Sequence, residues 1–118
     1  MSKKPETVFR EKVVAKLKQL PNCAIFSIQQ VAIRGTPDLL VCLNGFFVAL
    51  ELKASQKAKV SQLQDYALRK IINAGGIAFI VYPANWEGIF QELLKLAYAE
   101  VQLYDNITKQ NIAESDIQ

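Results

Sequence analysis

The sequence predicts a single α/β domain with a mixed central sheet flanked by helices, in the element order αβββαβα. The chain has 118 residues, which suffices for one compact domain but not for two. Three segments carry apolar residues at helical spacing, and four others are short apolar runs typical of strands. Between two of those runs lies Asn44-Gly45, the strongest short-range signal of a β-hairpin.

The first half of the chain contains one predicted helix and three predicted strands: helix 5–20, strand 23–29, and hairpin strands 38–43 and 46–53. Pro5 suits the first position of the helix, and Pro21 ends it. Asn44-Gly45 allows the positive φ angles that a type I′ turn needs. The hairpin is apolar on both faces over most of its length, so we expect it to be buried.

The second half contains two predicted helices and a strand: helix 61–74, strand 77–82 and helix 86–100. Ser61 and Gln64 match a capping box at the start of the first of these helices, and Gly75 ends it. The last helix is amphipathic. No repeat or linker divides the chain, so we expect one domain over residues 1–118, with its core at about 6–100 and a loose tail at 101–118.

Composition narrows the chemistry that the chain can perform. The absence of histidine excludes catalytic triads that use His and HExxH zinc sites. Cys23 and Cys42 have no CxxC partner and lie in apolar runs, so we expect buried free thiols. No apolar stretch has the length of a membrane span, and no signal sequence is apparent, which predicts a soluble intracellular protein. Any hydrolysis must therefore use carboxylates, lysine and a metal.

Charge is distributed unevenly along the chain. The net charge is +3, but residues 1–60 carry +6 and residues 61–118 carry −3. A basic N-terminal half favours a polyanionic partner such as nucleic acid.

The hairpin register predicts a pair of opposed carboxylates. With a two-residue turn at Asn44-Gly45, Asp38 lies opposite Glu51, and Lys53 shares their face. Opposed carboxylates repel each other, and a bound divalent cation removes that repulsion; oxygen ligands suit Mg²⁺ or Mn²⁺. The alternative is a surface patch in which Lys53 bridges both acids, and spacing alone favours neither.

The residues around this pair resemble a known family. Four segments resemble the VRR-NUC family of the PD-(D/E)XK nuclease superfamily: GTPDLL, Asn-Gly, FFVALELK, and SQLQ, which lies eleven residues before Gly75-Gly76. The resemblance runs from about Glu6 to Tyr82. It implies a restriction-endonuclease-like domain with an αβββαβ core. Stand-alone members of the family are small phage and bacterial proteins that resemble Holliday-junction resolvases.

The resemblance also implies roles for individual residues. Asp38 and Glu51 match the metal-binding acids, the Leu52 carbonyl would be a further ligand, and Lys53 matches the motif lysine. Lysine is ordinarily protonated at neutral pH, so Lys53 would act as an electrostatic group and not as a base. Gln64 matches the glutamine that follows this lysine in the family, although its place in the capping box explains it equally well.

The resemblance implies one more acid of the metal site on the first helix, for which Glu6 and Glu11 compete. We favour Glu6, because it shares a helical stripe with the apolar residues Phe9, Val13 and Leu17, which predicts that it faces inward. Glu11 is expected in solvent. Three cations flank the motifs and could contact DNA phosphates: Arg34, Lys57 and Lys59. Lysines of the first helix (12, 16 and 18) also fit a nonspecific contact with the DNA backbone.

The acid pair predicts a Mg²⁺ or Mn²⁺ site, and the family resemblance implies an endonuclease that hydrolyses phosphodiesters in branched DNA, in the cytoplasm of a bacterium or phage-infected cell. A Holliday junction needs two cuts and one chain offers one site, so we expect a homodimer. Its apolar contact would come from the 86–100 helix or from an edge strand. A flap or nicking nuclease with the same site, and a DNA-binding module without catalysis, are the alternatives.

Overall fold

The computed structural model describes residues 3–28 and 35–100. Seven elements follow one another: α1 (Pro5–Leu17), β1 (Cys23–Ser27), β2 (Leu39–Leu43), β3 (Phe46–Leu52), α2 (Gln62–Asn73), β4 (Ile77–Val81) and α3 (Trp86–Ala97). The strands form one sheet in the order β1-β2-β3-β4, antiparallel from β1 to β3 and parallel between β3 and β4. The predicted element order and mixed sheet are confirmed. The expected tail over 101–118 and Arg34 lie outside the described residues.

The hairpin has the predicted turn and register. Asn44 and Gly45 have φ angles of 52° and 89°, as a type I′ turn requires. Leu43 pairs with Phe46 and Leu39 pairs with Leu50, without a bulge between them. This register places Asp38 and Glu51 at the same end of the hairpin.

One face of the sheet carries the hydrophobic core. α1 and α3 pack on this face, and their buried side chains include Val13, Leu17 and Leu93. Alternate residues of β2 and β3 point into the same layer, where Val41 and Leu50 are almost fully buried. The apolar side of α3 is therefore buried inside the domain, so of the two surfaces considered for a dimer contact this helix is the less suited.

The opposite face of the sheet is only partly covered. α2 connects β3 to β4 and packs against β4, and no other described helix covers β1 and β2 on this side. Phe26 is 59% exposed, Phe47 is 49% exposed, and Cys42 is exposed between them. The hairpin is thus not buried on both faces as expected, because a single crossover helix is too narrow to cover four strands.

Both cysteines are free, but neither is buried. Cys42 is exposed because strand alternation points it to the uncovered face, and Cys23 is half-buried. The predicted burial of the two thiols is therefore wrong. Across residues 3–28 and 35–100, no helix has the length and apolar character needed to cross a membrane.

The start of α2 has the capping box that the sequence predicts. The Ser61 hydroxyl accepts a hydrogen bond from the Gln64 amide, and the Gln64 side chain accepts one from the Ser61 amide. Ala74 is the C-terminal cap, and Gly75 follows it with a φ of 95°. The caps place the first turn of α2 beside the end of β3.

Candidate active site

The candidate site lies at the end of the sheet where β1 and β3 end and β2 begins. A cavity of about 440 Å³ is lined there by residues of α1 and of these strands: Glu6, Thr7, Arg10, Ser27, Asp38 and Leu52. The first turns of α1 therefore form one wall, and the strand ends form the other.

Three nitrogen donors hold Asp38 in this cavity. Its Oδ2 accepts a bond of 2.8 Å from the Leu52 amide, and its Oδ1 accepts one of 3.0 Å from Arg10 Nη2. Its backbone carbonyl accepts a bond of 2.9 Å from the Ile28 amide. Asp38 is thereby fixed between β1, β3 and α1, although it precedes the first residue of β2.

Glu51 is a buried acid beside Asp38. Its side chain is 2% exposed, and its Oε2 accepts no hydrogen bond from any described residue. Burial, a hydrogen bond with Asp38 and repulsion from that carboxylate raise the pKa of Glu51 to about 8, although Lys53 and Arg10 lower it in part. An unpartnered buried carboxylate oxygen is costly, so this atom needs a ligand when Glu51 is ionised.

Lys53 and Gln64 meet across the gap between β3 and α2. Lys53 Nζ donates a hydrogen bond of 3.0 Å to Gln64 Oε1, and the same oxygen accepts the capping bond from Ser61. The two interpretations of Gln64 are therefore compatible, because one oxygen caps the helix and holds the lysine. Lys57 and Lys59 are exposed in the segment between β3 and α2.

The two acids of α1 are in different surroundings. Glu6 lines the cavity together with Asp38, whereas Glu11 is paired with Lys3 at 2.7 Å. The structure thus brings Glu6 to the cavity and leaves Glu11 outside it. Glu6 does not face inward as expected, because the buried stripe of α1 begins one turn later at Phe9, and Glu6 is exposed.

Arg10 belongs to this site, and sequence reasoning missed it. Its guanidinium binds Asp38, a residue 28 positions further along the chain. The available signal was its position four residues after Glu6, which puts both side chains on one side of α1.

The donor set fits a small divalent cation of the Mg²⁺ class. No cluster of three or more His, Cys, Asp or Glu residues converges within the described ranges. Mg²⁺, however, is typically held by one or two carboxylates, with water and substrate phosphate supplying the other oxygens. Asp38 and Glu51 supply the two carboxylates of such a set, and the unpartnered Glu51 oxygen is the atom that a cation would satisfy.

Comparison with known proteins identifies the fold. A solved structure named "VRR_NUC domain" is 21% identical, with a TM-score of 0.63, and the match covers 80% of this chain and 95% of that one. Another, named "VRR_NUC domain protein", is 16% identical, with a TM-score of 0.66, and the match covers 81% of this chain and 93% of that one. No family model matches the sequence, and neither does any curated protein. The chain therefore has the fold of the VRR_NUC domains, as its motifs predicted.

Proposed function

We propose that this protein is a metal-dependent DNA endonuclease of the VRR-NUC family. The observation that carries the proposal is that Asp38 lies beside the buried Glu51, whose Oε2 has no hydrogen-bond partner among the described residues, at the end of a sheet with the VRR_NUC fold. A solvated patch does not require a buried carboxylate, and burying one without a ligand destabilises the domain. The arrangement therefore favours a cation site over the alternative in which Lys53 bridges two surface acids.

Each residue has a distinct part in the proposed hydrolysis. Asp38, Glu51 and the Leu52 carbonyl would hold Mg²⁺ or Mn²⁺. When bound, such a cation supplies an activated water and neutralises charge on the phosphate. Lys53, held in place by Gln64, is a cation that stabilises the negative charge developing on the phosphate. Glu6 is the third acid predicted for the metal site; it lines the same cavity as Asp38 and would bind the cation through a water molecule.

The substrate is proposed to be DNA, with branched DNA favoured over linear duplex. Lys57 and Lys59 are exposed next to the site and would bind phosphates of the DNA backbone, as would Arg34. Cutting both arms of a junction requires two sites, so the proposal includes a homodimer. Its contact surface would be the partly uncovered face of the sheet, with Phe26 of β1 and Phe47 of β3, because the apolar side of α3 is buried.

Cleavage of four labelled DNAs tests this function: a four-way junction, a flap, a linear duplex and a single strand, each with Mg²⁺, with Mn²⁺ or with EDTA. The proposal predicts metal-dependent cleavage of the junction at a rate above that of the duplex. A flap or nicking nuclease would instead cut the flap best. Binding of DNA with no cleavage under any of these conditions would contradict the proposal and support a non-catalytic module.

The same assay needs a matched pair of variants. Lys53→Met removes the ammonium group that Gln64 holds, whereas Lys95→Met removes a surface lysine of α3 that is paired with Glu92. The first substitution should abolish cleavage, and the second should leave it unchanged.

A further inference from the structure

The Arg10–Asp38 pair differs from the other ion pairs in the described part of the chain. Its side chains are 34% and 28% exposed, whereas the side chains of the other pairs are about half exposed or more. The pair also joins two elements, α1 and the start of β2. A partly desolvated pair is screened less by water, so its charges interact more strongly than those of a surface pair.

Arg10 occupies an oxygen that the proposed cation needs. Both oxygens of Asp38 are engaged, Oδ2 by the Leu52 amide and Oδ1 by Arg10. In the first of these bonds the Leu52 amide donates to the Asp38 side chain, which holds the start of β2 against β3, and this bond can persist with a cation present. Arg10 and a dication on the same carboxylate would repel each other, so they compete for Asp38.

Once released from Asp38, Arg10 would be within reach of a phosphate of the bound DNA strand. It lines the same cavity as Asp38, where the phosphate of a bound strand would lie under the proposed function. The guanidinium fork matches phosphate oxygens with two parallel hydrogen bonds. α1 and α2 pack on opposite faces of the sheet, so Arg10 and Lys53 reach the acid pair from opposite sides.

We infer that Arg10 neutralises Asp38 in the cation-free protein and transfers to a phosphate of the DNA strand when a divalent cation binds. This inference rests on the proposed function, because it deepens the substrate contacts of the same site. Arg10 then has two successive partners, first the Asp38 carboxylate and then a phosphate of the substrate.

Calorimetric titration with Mn²⁺ tests the first partner without any turnover. Arg10→Gln removes the competitor for Asp38, so we expect Mn²⁺ to bind about two- to fivefold more tightly than to the wild type. Arg10→Lys keeps a competing charge and should bind Mn²⁺ like the wild type. Arg69→Gln is the matched control, since it breaks the exposed pair with Asp65 on α2 and should change nothing.

DNA binding in Ca²⁺, measured by fluorescence anisotropy on the intact junction, tests the second partner. Arg10→Gln should weaken DNA binding about tenfold or more, and Arg10→Lys should restore it only in part, because an ammonium lacks the fork. The inference therefore predicts that Arg10→Gln raises the affinity for Mn²⁺ and lowers the affinity for DNA. A merely structural role of Arg10 would not tighten cation binding.

Three results would overturn the inference. Weaker Mn²⁺ binding by Arg10→Gln, together with a lowered thermal midpoint, would show that Arg10 only holds α1 against β2. Tighter Mn²⁺ binding with unchanged DNA affinity would exclude the phosphate contact. Full restoration of DNA affinity by Arg10→Lys would exclude recognition by the guanidinium fork. A wild type that binds Mn²⁺ and DNA without cutting would instead contradict the proposed function, which separates the two failures.

Discussion

The Leu52 amide donates a 2.8 Å hydrogen bond to the Asp38 carboxylate, which ties the start of β2 to the end of β3. This bond lies just beyond Leu39 and Leu50, the last residue pair of the hairpin at this end. It keeps Asp38 beside Glu51 although the two acids repel each other. A bond from a backbone amide to a side chain therefore stabilises a site that its charges alone would open.

The buried acid predicts a pH dependence of stability in the metal-free protein. The pKa of Glu51 rises from 4.5 to about 8 on folding, so the folded state binds the proton more tightly than the unfolded state. The stabilisation is full below about pH 4.5 and is lost as the pH rises through about 8. A shift of this size corresponds to at most about 5 kcal/mol in the free energy of unfolding.

Urea unfolding in EDTA between pH 5 and pH 8.5 measures this effect. Glu51→Gln cannot titrate, so its free energy of unfolding should lose the decline across this range. Asp65→Asn alters an exposed acid of α2 and should retain the wild-type slope. An unchanged slope in Glu51→Gln would show that the pKa of another group causes the decline.

Two substitutions in α2 separate the roles of Gln64. Ser61→Ala removes one capping bond and should cost about 1 kcal/mol in stability without slowing cleavage. Gln64→Ala also frees Lys53, so it should slow cleavage about tenfold as well. Chemical denaturation and initial cleavage rates at saturating DNA measure both quantities. Equal cleavage rates in the two variants would show that Gln64 caps α2 and does not position Lys53 for cleavage.

The lysines on α1 predict where the DNA backbone runs beyond the site. Lys3, Lys12 and Lys16 line a groove of about 910 Å³ between α1 and the start of α3, and Ala54 joins it to the end of β3. If Lys12 contacts a phosphate, Lys12→Gln should change the salt dependence of DNA binding. The slope of the logarithm of the DNA-binding constant against the logarithm of the salt concentration should fall in magnitude by about 0.9. Lys95→Gln on α3 is the control. Equal slopes in both variants would show that the DNA backbone does not run along this groove.

The uncovered sheet face predicts the dimer contact. Phe26→Glu puts a charge in the middle of this face and should convert a dimer into the 13.2 kDa monomer with a stable fold, because Phe26 is 59% exposed. Tyr98→Glu, at the end of α3, is the matched control for an exposed aromatic residue. Light scattering at micromolar concentration measures the mass, and a monomeric wild type would contradict the dimer.

Local signals made much of the fold and the acid pair predictable. Asn44-Gly45 sets the turn, the turn sets the register, and the register brings Asp38 to Glu51. The capping box likewise placed the start of α2. Each of these features depends on residues close together in the chain, and so their patterns are visible in the sequence.

Features that depend on packing between distant segments were not predictable. The Arg10 contact with Asp38 requires the orientation of α1 on the sheet, which no local pattern specifies. The exposure of Cys42 and Phe47 depends on how much of the sheet α2 covers. An apolar alternation predicts a strand, but it does not say whether a second layer will cover its face.

Under the proposed function, a divalent cation held by Asp38 and Glu51 makes this protein a nuclease. The most direct test of this claim is the initial rate of cleavage of a labelled four-way junction as Mg²⁺ is titrated into wild type, Glu51→Gln and the control Asp65→Asn. We predict that wild type and Asp65→Asn have the same saturable Mg²⁺ dependence, and that Glu51→Gln is slower by about two orders of magnitude or more at every Mg²⁺ concentration. Cleavage by Glu51→Gln at the wild-type rate and with the wild-type Mg²⁺ dependence would contradict the account.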